Sequence, residues 1–250
     1  MRVSSIVLAA VAAMTLASAA HAAVIMGNAA DASVYRGPVV VGDDGGGTST
    51  DAAETVIKSG NPWGNSNVLN AVMVFQLPNL GAVANPFTSA SLAFKTGSDT
   101  NNPFNYGAGS YDLYGLGVRN ASAVSASDFY VGTGDTTDAT LMQSSILNNS
   151  QAGGNNGLPD GTLVGTDTGG NTALLAYLNA QYSSGAGAGK YAFVRLNSSW
   201  VTYGWARYSL DTAENTGNGP SITYSAVPEP ASVGVLALAA VGLIARRRRA

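Results

Sequence analysis

The 250-residue sequence has no cysteine and a single histidine, His21. Without cysteine there are no disulfides and no thiolate to act as nucleophile or metal ligand. Charge is also scarce: charged residues make up 11 % of the chain and aromatic residues 8 %. The little charge there is lies unevenly. Outside residues 23–226 the basic residues are Arg2 and Arg246–Arg249, and the acidic residue is Glu229. The span between them holds seven basic and fourteen acidic residues. Such an acidic body, with no basic stripe, excludes a nucleic-acid partner, because phosphate backbones are bound by clustered cations. What is present is glycine, 31 residues, with hydrophobic residues at 46 %. That is enough apolar material for a packed core, so wholesale disorder is excluded. Short β-branched and aromatic runs between glycines favour an all-β exported domain.

Both ends read as addresses. "MRVSSIVLAAVAAMTLASAAHAA" carries one positive charge at Arg2, an apolar stretch from Ile6 to Leu16, and small residues before a cut. Ala20-His21-Ala22 fits the A-x-A rule, with Ala23 as the new N-terminus, so residues 1–22 are predicted to be a signal peptide handled by the Sec translocon and signal peptidase. Cleavage there would remove His21 and leave a mature protein with no imidazole. Ser-His-Asp and Cys-His catalysis and all His-ligated metals are then excluded.

At the other end, "VPEPASVGVLALAAVGLIARRRRA" places Pro228-Glu229-Pro230 before 15 apolar or small residues, Ala231–Ala245, and then Arg246, Arg247, Arg248 and Arg249. A full span of a bilayer core takes ~20 residues. The arginines directly behind the apolar run would hold its end on the cytoplasmic side, so topology rather than lipid recognition explains them. The three ordered parts resemble a PEP-CTERM sorting signal, a tail also catalogued as an ice-binding protein C-terminal region. The resemblance implies a Gram-negative bacterium and an exosortase-like enzyme that cuts near the PEP motif. It also implies transient association with the inner membrane through a short C-terminal transmembrane helix in 227–250. Delivery to the cell surface or the extracellular matrix follows, often alongside exopolysaccharide. A permanent single-span anchor is the alternative.

Between these ends, 23–226 reads as one domain with a short spacer before Val227. "SLAFKT", "YAFVRL", "WARYSL" and "SITYSA" alternate with period two. Leu92, Phe94 and Thr96 fall on one face of the first, and Ala192, Val194 and Leu196 on one face of the second. "AVMVFQL" is apolar almost throughout, which suits a central strand covered on both sides. "SYDLYGL" is a further candidate strand. Turn signals at Gly42–Gly47, Asn61–Gly64, Asn101–Pro103 and Gly217–Pro220 separate such runs. The expected fold is an all-β, jelly-roll-type β-sandwich with one or two short helices. "NTALLAYLNAQY" has Leu174, Leu175, Leu178 and Tyr182 at helical spacing behind an Asn171/Thr172 cap, and should pack over an open end. "DATLMQSSILNN" (Asp138–Asn149) is the candidate for a second helix.

The body also resembles DNRLRE-type jelly-roll domains. "NAADASVYRG", "NPWGNSNVLN", "AVMVFQLPNL" and "TSASLAFKT" match their opening, and "ARYSLDTAENTGNGPSITY", with Glu214, matches their closing half. The sequence departs where Ala213 replaces the usual arginine and Ser221-Ile222 follow Pro220. The resemblance implies architecture shared with secreted carbohydrate-binding modules.

Candidate sites are few. Clustered oxygens in "GDDGGG" make Asp43 and Asp44 the candidates for structural calcium, though EF-hand spacing is lacking. No other cofactor is expected. The rings of Trp63, Trp200 and Trp205, with Tyr203, are the candidates for stacking on sugars; filling the core is the competing role. The local carboxyl pairs Asp211/Glu214, Asp135/Asp138 and Asp43/Asp44 offer what a glycoside hydrolase needs, yet most sit in turns that favour Asp anyway. Threonine clusters only at Thr48–Thr50 and Thr136-Thr137, too briefly for an ice-binding face. The expectation is an exported surface or matrix protein without catalysis. A lectin-like module for an extracellular polysaccharide is the alternative, and a carboxylate-based glycan-active enzyme a remote one.

Overall fold

A computed structural model describes residues 22–36, 48–49, 56–60, 68–97, 110–129, 139–148, 158–198, 207–215 and 217–227. Within them the chain forms two antiparallel sheets and one α-helix. The strands are β1 (Ala22–Met26), β2 (Ala32–Arg36), β3 (Thr48–Ser49), β4 (Val56–Gly60), β5 (Val68–Gln76) and β6 (Phe87–Lys95). Then come β7 (Ser110–Arg119), β8 (Thr140–Asn148), β9 (Leu163–Gly165), helix α1 (Thr168–Tyr182), β10 (Tyr191–Ser198), β11 (Arg207–Asp211) and β12 (Ser221–Ala226).

The smaller sheet runs β1-β12-β6-β9, and the larger one β11-β4-β5-β10-β7-β8, with β2 paired to β5 and β3 to β2. One continuous core lies between them, with Met73, Phe75, Leu113, Val194 and Leu196 from the larger sheet facing Leu92, Phe94 and Ile222 from the smaller. Packing side chains between two sheets defines a β-sandwich. Two single bridges tie the sheets together where strands change sides: Gly27 to Phe75, and Thr96 to Leu210.

The alternation expected in β6, β10 and β12 is what the sheets use. Leu92, Phe94 and Thr96 are buried while Ser91, Ala93 and Lys95 are half-exposed, and Ile222 and Tyr224 point inward from β12. The apolar run of β5 is buried on both faces from Leu69 to Phe75. Its second face belongs to a small outer cluster of Ala32, Val72, Val74, Val124 and Phe193. The chain from Val124 to Phe129 supplies this cover. It is pinned by the Arg119–Asp128 ion pair and by the Arg195 guanidinium, which donates to Asp128 O at 2.8 Å.

Helix α1 closes the gap between the sheets. Asn179 pairs with the Phe87 backbone in both directions, at 3.0 Å each way, and the Tyr182 hydroxyl donates to Gly81 O at 2.8 Å. The buried Tyr177 hydroxyl contacts Gly117 and the Phe193 carbonyl of β10. Its cap differs from the Asn171/Thr172 expectation. Asp167 is the N-cap, and its Oδ1 accepts from Gly170 N–H at 2.7 Å. Gly169 and Gly170 look like a turn, but Gly170 is in the helix because a Cβ there would stand 2.1 Å from Gln143 Oε1.

Two further expectations are corrected, and one strand is new. Residues 140–148 form strand β8, not a helix. Register breaks against β7, with Ser145 at φ 53°, turn Met142 and Ile146 inward four residues apart, which imitates helical spacing. No spacer precedes Val227, since β12 runs to Ala226. Strand β1, absent from the sequence reading, begins at Ala22, where the leader was expected to end.

Candidate functional site

The smaller sheet brings the first and last described strands together. β1 is its edge strand and pairs antiparallel with β12, so Ala22 stands opposite Ser225 and Ala23 opposite Tyr224. β12 is in turn paired with β6, through Ile222–Leu92 and Tyr224–Ala90, with an irregularity at Ser225/Ala226. Beyond Ala226 one more bond holds the chain, Val227 N–H to Pro86 O at 2.8 Å. Beneath, Phe87 packs edge-on against Tyr224 and Tyr182, with ring centroids 5.3 and 5.7 Å apart. Burial raises the Tyr224 hydroxyl pKa. The end of β12 is therefore fixed by hydrogen bonds and rings, and the start of β1 by its pairing with β12. Of the predicted cleavage residues, Ala22 and Ala23 lie in β1, and Ala20 lies outside the described residues. Cleavage after Ala22 would leave Ala23 to Met26 paired as before.

The remaining sequence candidates divide sharply. Asp43, Asp44, Trp63, Trp200, Tyr203, Trp205, Asp135 and Asp138 lie outside the described residues, as do Pro228, Glu229, Pro230 and Arg246–Arg249. Among the described residues no helix is long and apolar enough to cross a membrane, and no group of three or more acidic or His side chains is gathered as for a metal.

The Asp211/Glu214 pair is described, and the structure gives the two different neighbours. Asp211 is buried at the end of β11; burial raises its pKa, opposed by a hydrogen bond from Asn215 and by the charge of Lys95, while Asp160 adds to the rise. Glu214 instead acts on Asp31, a buried residue on the corner between β1 and β2. Burial first, then the Glu214 charge, raises the Asp31 pKa well above the ordinary carboxylate range, against the pull of the Val74 and Ala213 backbone amides. Asp31 and Glu214 stand in separate motifs of the sequence, and no local spacing connects them.

Residues 226–249 match the PEP-CTERM protein-sorting motif. No curated protein matches the chain. The match starts at the last residue of β12, so the motif continues a core strand without interruption. Signals of this kind are processed by exosortase, which supports that enzyme as a partner. The motif supports export, membrane-associated processing, and sorting to the cell surface or extracellular space.

Proposed function

We propose that the chain is a non-catalytic component of the bacterial surface or extracellular matrix, delivered by its tail and displayed as a folded sandwich. In this reading the Sec translocon exports it and signal peptidase removes residues 1–22. The apolar run then holds it in the inner membrane until an exosortase cuts near Pro228–Pro230 and releases it or attaches it outside. The observation that carries the reading is the junction: the sorting motif begins where β12 ends, and one backbone bond, Val227 N–H to Pro86 O, holds the chain just beyond it. A cut beyond Pro230 would leave every pair of the β1-β12-β6 ladder in place.

The test is the intact mass of the exported protein from cells with and without exosortase. The expected product begins at Ala23 and ends near the PEP motif, and it accumulates with its tail in the deficient cells. Exported material that keeps the residues after Pro230 would overturn the processing step. The non-catalytic role is tested by screening the purified protein against bacterial and algal polysaccharides for binding and for chain cleavage. Silence is expected. Saturable binding lost in Trp200→Ala or Trp205→Ala would replace the reading by a lectin-like module.

A further inference from the structure

The tail leaves the sandwich from an end that carries little charge. No Asp, Glu, Lys or Arg occurs in residues 22–30, 68–94 or 168–189. The fold gathers parts of all three stretches around Val227. The loop from β5 to β6 arrives through Pro86, whose carbonyl accepts from Val227 N–H at 2.8 Å. The turn after α1 packs on that loop. There the Tyr182 hydroxyl accepts from Leu80 N–H at 2.7 Å, and a Cβ on Gly185 would lie 2.9 Å from Gly81 O. The start of β1 lies alongside, with Ala22 opposite Ser225.

What this end shows to solvent is short and neutral. Ala82 and Ala84 are exposed on the loop, Ser184 and Ala186 on the turn, and Val227 is 42 % exposed. Two cations stand at its rim. Lys190 accepts through its carbonyl from Leu77 N–H, and Arg119, opposite Tyr191, is paired with Asp128. The far end of β6 differs. Lys95 stands there, a Cβ on Gly97 would lie 2.8 Å from Asp211 Oδ1, and Gly161, next to Asp160, donates to Thr96 O at 2.6 Å.

The link to the apolar run is short. Residues 228–230 separate Val227 from Ala231, so at most about 14 Å of extended chain joins the two. A headgroup layer is itself about 5–8 Å deep. With the run in a bilayer, the Val227 end has no room to stand clear of the surface. Carrying a charge out of water is costly, and neutral side chains avoid that cost. Elsewhere the body is acidic, and an anionic lipid surface repels it.

We infer that this end of the sandwich seats on the lipid headgroups of the inner membrane before processing, with the 80–86 loop and the 183–189 turn against the bilayer. The inference rests on the proposed reading that the apolar run lies in that membrane. The seated domain acts as a collar that fixes residues 228–230 at the lipid–water boundary, within reach of a membrane enzyme.

The test uses the exported chain with its tail, from cells lacking exosortase, in vesicles of phosphatidylethanolamine and phosphatidylglycerol. The chain has no cysteine, so single introduced cysteines carry a fluorescent label cleanly. Headgroup-linked nitroxide should quench the label at Ala84→Cys several times more strongly than at Leu163→Cys, an exposed position opposite Lys95 at the far end. Adding Ala82→Glu should remove most of that difference. A label at Ala239→Cys, quenched by acyl-chain nitroxide, reports the run itself. Equal quenching at Ala84 and Leu163 with Ala239 quenched overturns the inference and leaves the tail reading standing. An unquenched Ala239 label overturns both. The inference is also overturned if Ala82→Glu changes nothing, or if quenching at Ala84 appears only when exosortase is added, since the surface would then fit a protein partner.

Discussion

The two sheets solve the same burial problem with different sequence codes. In the smaller sheet one face packs on the core and the other meets solvent. Its outward rows are Val24–Thr223–Ser91 and Met26–Ser221–Ala93–Gly165, short or polar but for the exposed Val24 and Met26 on the edge strand. In the larger sheet β5 and β10 are covered twice, by the core on one side and by the Val124–Phe129 segment on the other. Polar residues on the second face are held by hydrogen bonds. Arg195 is held by its bonds to Asn197 Oδ1 and Asp128 O. An alternating strand says which way it faces, whereas a continuous apolar strand says only that something covers it.

Substitutions can sharpen or break this contrast. The largest effect is expected at Phe193, which fills the outer cluster and carries the Arg119 guanidinium 4.1 Å above its ring. Phe193→Ala should cost about 3–5 kcal/mol by denaturant unfolding. A cost near that of a surface residue would mean the second cover does not seal. Next comes Tyr177→Phe, which strips the buried hydroxyl from Gly117 and the Phe193 carbonyl and should cost about 1–3 kcal/mol. Burial is the main reason that hydroxyl titrates above its usual range, so the loss should not vary between pH 5 and 8. Removing the helix cap with Asp167→Ala should cost about 1 kcal/mol, seen as a lower Tm with unchanged strand content.

A smaller effect is expected in the pH dependence of the corner that joins the sheets. A carboxyl whose pKa is raised by folding adds stability below the ordinary Asp range and loses it as pH rises through the raised value. Wild-type Tm should therefore fall as pH climbs from about 4, with burial of Asp31 as the first cause and the charge of Glu214 as a further one. Asp31→Asn should flatten that slope while its side-chain oxygen still accepts from Val74. An unchanged slope would assign it to other groups. The smallest effect belongs to the open face of the smaller sheet, where Thr223→Ala should change stability by no more than about 0.5 kcal/mol. A larger loss would show that this face is covered.

Much of this was legible in the sequence, and the reason is range. Period-two text in β6, β10 and β12, the apolar block of β5, and the order of Pro228-Glu229-Pro230, apolar run and arginines are all local patterns. Their physical meaning, which side chains share a face and which stretch is continuously apolar, needs no knowledge of distant residues. Helix α1 was legible in its body but not at its start, because Gly170 is explained only by Gln143 on β8. Strand β8 was misread because its irregular pairing with β7 shifts the inward residues out of period two. Tertiary structure alone decided that β1 and β12 lie side by side, and that Asp31 at the β1–β2 corner feels the charge of Glu214 from the loop before β12. Those pairings depend on how the chain returns to itself, and no local spacing encodes the return.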